Sequence, residues 1–328
     1  MKKTLLAAAV ASTVTSFAMA DISITGDAKF EYDHHDTGSA TSNTTATEMH
    51  INIVGKQGDT SVVIKTEIDS HGQSGATFDI EDNYITTKVG DVSVKAGNYA
   101  SGTSGLLGEI EEGSRATNKV DLRYNLGGVT LYTGNKGTGG SSSLGVEGDS
   151  KIDNNMYAGA QFKVAGQNIE VKKNSDTKDS WGIKGSVSGV DYRYEASDDD
   201  TDGDTSFVMI QTKLAGVTVQ YAALDADATA GLEETDSSIF AQEAALSSGN
   251  ATGQQQIAVS TAVDGTTLTA KSGTIEKGLS SGADQDYIML SASRPLASGA
   301  TLVVTYNDND TSTSASTENL EVELNVKF

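Results

Sequence analysis

Acidic side chains supply most of the reactive groups in this chain. Glu109, Glu111 and Glu112 crowd into the polar segment 99–117, with Arg115 beside them. Just beyond, Lys119, Asp121 and Arg123 share one face of a stretch whose other face reads Val120, Leu122 and Tyr124. Carboxylates so close together can share a proton, hold a cation, or form a ring of charge that sorts passing ions. Pairs such as Glu111-Glu112 would suit a glycosidase, but acids this dense pair often by chance. The run Asp198–Asp204 resembles the first half of a calcium loop and lacks the distal glutamate that completes one, so it reads as a solvated loop. His34, His35, His50 and His71 are the only histidines. They read as surface-loop residues, since adjacent strand positions such as His34 and His35 point to opposite faces. There is no nucleophile elbow, no phosphate-cradling loop and no cysteine. The residues therefore point either to fixed charge acting on passing solutes or to an ordinary solvated loop whose acids keep it soluble, without enzymatic chemistry, cofactor or metal.

Elements that alternate with a period of two must position these groups. Ile22, Ile24, Gly26, Ala28, Phe30 and Tyr32 oppose Ser23, Thr25, Asp27, Lys29, Glu31 and Asp33. The same division recurs around residues 62–69, 119–126, 156–164 and 190–195, and every charge stays off the apolar row. It recurs last in Leu320, Val322, Leu324, Val326 and Phe328, which alternate with Glu321, Glu323, Asn325 and Lys327. Alternation marks strands with one apolar and one wet face. Such strict exclusion of charge is what lipid imposes, because Lys or Arg at mid-membrane on the outer face costs about 2–4 kcal/mol. The stretches around Glu81-Asp82 and Tyr287–Met289 alternate less cleanly, which suggests bulges.

Glycine turns punctuate the strands at residues 57–59, 89–91, 127–128, 165–166, 188–189, 215–216, 264–265 and 298–299. Longer polar segments lie between them at 34–44, 70–77, 99–117, 137–153, 198–204, 226–253 and 308–316, with short connections near 175–178 and 278–283. Tight turns alternating with long loops describe an all-β, closed antiparallel transmembrane β-barrel. Counting turns predicts 18 strands, with 16 as the alternative if one hairpin is misread.

Residues 1–20 read as a cleaved secretory signal peptide. Lys2 and Lys3 precede an apolar run from Leu5 to Val14, and Ala18-Met19-Ala20 fits a cleavage site. Residues 21–328 then form a single barrel domain of 308 residues, with 21 basic and 45 acidic side chains and a formal charge of −24. That charge repels nucleic acid. A conventional core would be thin at 37% apolar residues, whereas a barrel with a hydrated interior needs only one apolar residue in two along each strand.

Ile22–Gly26, Gly55–Asp59 with Glu67, Tyr84–Gly97, Ser291–Arg294 with Leu302–Tyr306, and the terminal Phe328 resemble the general porins of Gram-negative outer membranes. The resemblance implies an outer-membrane homotrimer in contact with lipid and lipopolysaccharide, with the third loop folded into the lumen. It also implies passive diffusion of small hydrophilic solutes and delivery to the outer-membrane assembly machinery by the C-terminal strand, Leu320 to Phe328. On that footing Glu109, Glu111, Glu112 and Arg115 belong to the constriction, and Lys119, Asp121, Arg123 and, less directly, Lys29 to the lumen wall. The chain departs from the family pattern in having Asn98 where an arginine is common, and only four arginines in all. Excess carboxylate predicts a preference for cations. The rival readings are a substrate-selective outer-membrane channel and a secreted or surface β-sandwich adhesin.

Overall fold

In a computed structural model, residues 21–71, 76–100, 106–107, 110, 115–135, 156–174, 178–199, 203–227, 239–241, 251–277, 284–311 and 314–328 are described. The strands are β1 (Asp21–Asp36), β2 (Thr41–Gln57), β3 (Thr60–His71), β4 (Thr77–Val89), β5 (Val92–Ala100) and β6 (Arg115–Leu126). They continue as β7 (Val129–Asn135), β8 (Met156–Val164), β9 (Gln167–Asn174), β10 (Lys178–Val187), β11 (Val190–Asp199) and β12 (Thr205–Leu214). The last six are β13 (Val217–Ala226), β14 (Ala251–Val263), β15 (Thr266–Lys277), β16 (Gln285–Pro295), β17 (Ala300–Thr311) and β18 (Ser314–Lys327). Each pairs antiparallel with its chain neighbours, and β18 pairs with β1, so the 18-stranded sheet closes on itself. No edge is left to seek a partner.

All eight glycine turns fall between strands as the sequence predicts. In Ala215-Gly216 and Asp264-Gly265 both residues take positive φ, at 52° and 90° and at 49° and 76°. Two consecutive left-handed residues give a turn whose twist matches that of the flanking strands, and a glycine in the second place limits the steric cost. Several loops are shorter than their polarity suggests. Within the segment 34–44, His34 pairs with Asn43 and Asp36 with Thr41, so only residues 37–40 turn. A ladder can extend beyond the membrane into water, where both faces are free to be polar.

The apolar rows face outward. Ile24, Leu122, Leu214, Ile257, Leu290 and Leu324 are all exposed, as are Leu320, Val326 and Phe328 of the C-terminal strand, with Val322 half-buried among them. A water-soluble sandwich would bury these rows against one another, which argues against the adhesin reading. No helix among the described residues is long and apolar enough to span a membrane, a fact without bearing on strands. Leu122→Arg, which places a cation on the outer face, should destabilise the folded barrel by about 2–4 kcal/mol. Urea titration in lipid vesicles measures this, and an unchanged midpoint would contradict lipid contact at this position.

The irregular stretches have two different causes. At Glu81-Asp82 the β3–β4 register slips between Lys65 and Thr66, a bulge as predicted. At Tyr287–Met289 the register is unbroken. Alternation is blurred there because Tyr287, which is buried, lies on the inner face. It joins Leu107, Ile110, Phe207, Leu224, Phe240 and Ile275 in an apolar cluster inside the barrel. The lumen is thus not hydrated all round.

Candidate functional site: the lumen and its docked loops

Among the described residues, two connections reach the inner wall. In the one between β5 and β6, Leu106, Leu107 and Ile110 are buried. Their anchor is built across three strands, where Glu170 of β9, Gly182 of β10 and Glu195 of β11 lie in direct register. A side chain at Gly182 would put its Cβ 2.9 Å from Leu106 Cγ and 3.0 Å from Leu107 Cδ2, so the glycine is a notch for the two leucines. Polar tethers hold the backbone on either side. The Leu106 N–H donates to Glu170 Oε2 at 2.5 Å, and the Ile110 N–H donates to Glu195 Oε2 at 3.3 Å. Arg193 donates to the Leu106 carbonyl from Nε at 3.3 Å and Nη2 at 3.1 Å, and it pairs with Glu195. Lys178 Nζ donates to the Ile110 carbonyl at 3.4 Å.

The connection between β13 and β14 supplies Ile239, Phe240 and Ala241. Phe240 is buried and meets Phe207 edge-on, with ring centroids 6.2 Å apart. Gln256 clasps the backbone at both ends, accepting from the Ala241 N–H at 2.8 Å and donating to the Ile239 carbonyl at 2.8 Å. Lys271 Nζ donates to the same carbonyl at 2.9 Å. By sequence, residues 226–253 read only as a long polar loop. One signal could have revealed its inward turn: the inner row of β12 carries Phe207 and Met209, which need an apolar partner within the lumen.

The rest of the lumen wall separates charge. Glu31 and Asp33 of β1 stand opposite Glu323 and Glu321 of β18, and Glu31, Glu321 and Glu323 bring carboxylate oxygens within 4.8 Å of one another. Lys29 also faces inward here, bridging Glu31 at 2.9 Å and Glu48 at 3.0 Å. A group of cations lies on β5–β9. Lys95 lies over the rings of Tyr84 and Tyr99, 4.1 and 3.8 Å from their centroids. Lys119 is fully buried, 4.8 Å from the Tyr99 centroid, and its Nζ has no hydrogen-bond partner among the described residues. Asp121 pairs in register with Lys95 and accepts from the Tyr157 hydroxyl. Arg123 lies 5.6 Å from the Tyr132 centroid, and with Lys88, Lys95, Tyr99 and Asp121 it lines a recess of about 330 Å³.

Of the residues singled out for the constriction, Glu109, Glu111 and Glu112 lie outside the described residues. Arg115 opens β6 opposite Ala100, with its side chain likewise outside the description. Lys119, Asp121 and Arg123 line the wall on the loop's own return strand, while the polar contacts of the described loop residues fall on β9–β11. None of Glu170, Gly182, Arg193 and Glu195 stands out as a site residue in the sequence. Near the rim, Asp204 precedes β12, and its carboxyl is raised above the usual carboxylate value by the charge of Asp198, by desolvation and by Asp227.

A closed antiparallel barrel with an apolar exterior and loops docked in a charged lumen defines a transmembrane channel of the outer-membrane type. The chain belongs to the Gram-negative porin family, whose model matches residues 6–314. It is therefore an outer-membrane channel and not an enzyme. No curated protein matches it. Among solved structures it is similar to Pseudomonas aeruginosa OccK11 (OpdR), with a TM-score of 0.66 and 12% identity over 94% of this chain and 96% of that one. OccD3 (OpdP) of the same organism gives 0.64 and 13% over 95% and 92%. OpdK, solved with vanillate, gives 0.64 and 11% over 95% and 100%. At such identity the likeness speaks for the fold alone.

Proposed function

We propose that this channel carries ions and small hydrophilic solutes by passive diffusion, sieved by the connection between β5 and β6 and biased toward cations. The observation that carries the sieving is the docking of Leu106, Leu107 and Ile110 on Glu170, Gly182 and Glu195. The cation bias is supported by the formal charge of −24 after residue 20 and by the acidic arc of β18 and β1. A charged wall acts over about 8 Å at physiological ionic strength, enough to reach solutes in a narrowed lumen. In planar bilayers under a KCl gradient the reversal potential should have the sign of K⁺ preference. A potential of the opposite sign would remove the cation bias and leave the pore standing.

A second reading is favoured by Lys95, Lys119, Arg123 and Lys172: a channel selective for small organic anions, for which OpdK with vanillate offers an analogy. Saturable flux of a carboxylate would support it. The remaining expectations complete the proposal. Residues 1–20 direct export and are removed, strand β18 is read by the assembly machinery, and three copies associate among lipid and lipopolysaccharide. Cross-linking in native membranes tests the trimer. Glu109, Glu111, Glu112 and Arg115 are assigned to the constriction, and Lys29, Lys119, Asp121 and Arg123 to the wall.

A further inference from the structure

His50 is not on a surface loop. It lies within β2 on the inward row, in direct register with Asp27 of β1 on one side and Glu67 of β3 on the other. Glu48, two residues earlier on the same strand, shares that face. Donor atoms of His50, Glu48 and Glu67 all lie within 4.8 Å of one another. His50 Nδ1 is 3.2 Å from Asp27 Oδ2, and its Nε2 is 2.9 Å from Glu48 Oε1. Lys29 holds the other Glu48 oxygen at 3.0 Å, which leaves Oε1 toward the histidine. The Glu67 carboxylate makes no hydrogen bond or ion pair among the described residues.

We propose that His50, Glu48 and Glu67 bind a divalent transition-metal ion such as zinc on the lumen wall. One imidazole and two carboxylates match the donor preference of that ion, and three protein ligands leave a fourth position open to water. Asp27 completes the arrangement. By accepting a hydrogen bond from Nδ1 it fixes the tautomer, so that Nε2 presents its lone pair to the ion. Two carboxylates and a neutral imidazole balance a 2+ charge. Ligands of a tetrahedral ion stand about 3.4 Å apart, a closure that rotation of the two glutamate side chains can supply. The ion takes the place of the Nε2–Glu48 contact, and any proton on Nε2 leaves as it binds.

The surroundings favour a cation. Asp27 and Lys29 face the site from β1 and Glu67 and Lys65 from β3, with Glu81 and Asp82 beyond on β4. Lys65 is engaged by Asp82 at 3.1 Å. Because the site borders the conduction path, the inference rests on the channel reading, and a bound ion should reduce the cation current.

Titration of the detergent-solubilised protein with zinc chloride tests the site, followed by single-channel recording with and without the metal. One zinc per chain is expected, with reversible block at micromolar concentration. His50→Asn and Glu67→Gln should each weaken binding at least tenfold, and Asp27→Asn by about 10–100-fold. Heat-modified gel mobility verifies that each variant is folded. Zinc bound equally well by His50→Asn, or displaced by equimolar magnesium, would overturn the proposal and place any binding on carboxylates elsewhere. Current through the wild type without zinc separates the two readings, since its absence would sink the channel and its presence without block would sink only the metal site.

Discussion

Replacing Arg193 by alanine should open the channel wider. Single-channel conductance should rise, and solutes excluded by the wild type should pass in a liposome-swelling assay. The guanidinium makes two hydrogen bonds to the Leu106 carbonyl and an ion pair to Glu195, a fully buried carboxylate. Breaking a buried pair from one side costs about 3–5 kcal/mol, because the surviving charge stays desolvated without its partner. The barrel does not bear that cost, since the backbone ladder around Arg193 is formed with β10 and β12 and needs no side chain. The cost falls on the docked loop, whose release rehydrates Glu195. A change of that size shifts the docked-to-free ratio by roughly two to four orders of magnitude. Gly182→Leu approaches the same outcome from the apolar side by filling the notch that Leu106 and Leu107 occupy. If both variants fold and keep wild-type conductance and size limit, the docked connection does not set the pore.

The second large effect is expected at the seam. Deletion of Phe328, or Gly26→Val, should abolish most folded barrel, read as loss of the heat-modifiable band on semi-native gels. Gly26 and Phe328 exchange both backbone hydrogen bonds at 2.9 Å, closing β1 onto the end of β18. A side chain at Gly26 would put its Cβ 2.6 Å from Phe328 Cζ and 2.9 Å from Cε2, so the ring lies directly over the glycine. Removing Phe328 leaves the Gly26 N–H and carbonyl without partners where hydrocarbon offers none, at several kcal/mol for each group. Valine at position 26 would meet the backbone carbonyl of His50 on β2 as well as the Phe328 ring, so it disturbs the β1–β2 ladder along with the aromatic contact. Phe328→Ala separates the two contributions, because it preserves the backbone pair and loses only the aromatic contact. Normal assembly of both the deletion and Gly26→Val would show that the seam closes without this residue pair.

Much of the architecture was readable because its causes are local. A strand's faces alternate with a period of two whatever surrounds it, and lipid penalises any charge on the outer row. The rows through Ile24, Leu122 and Leu324 therefore pointed outward correctly, and turns such as Ala215-Gly216 declared themselves by glycine after a small residue. Counting those turns yielded 18 strands. The same reasoning failed where polarity and membrane boundary diverge. Asp36 and Thr41 look like loop, yet they continue the ladder because water at the rim accepts polar side chains on both faces. His50 reads as one of four scattered histidines until β1 and β3 bring Asp27 and Glu67 to its sides.

The sequence by itself determined where the tight turns fall, which row of each strand meets lipid, and a count of 18 strands with 16 as the alternative, since each follows from neighbours one or two positions apart. Only the tertiary structure decided what the lumen contains. Leu106 meets Glu170 and Arg193 across separations of 64 and 87 residues, Ile110 meets Glu195 across 85, and Phe240 packs on Phe207 within an apolar cluster no local pattern announces. Closing the barrel fixes the register of every strand relative to every other. That register, rather than any property of a single segment, sets which inward side chains can touch.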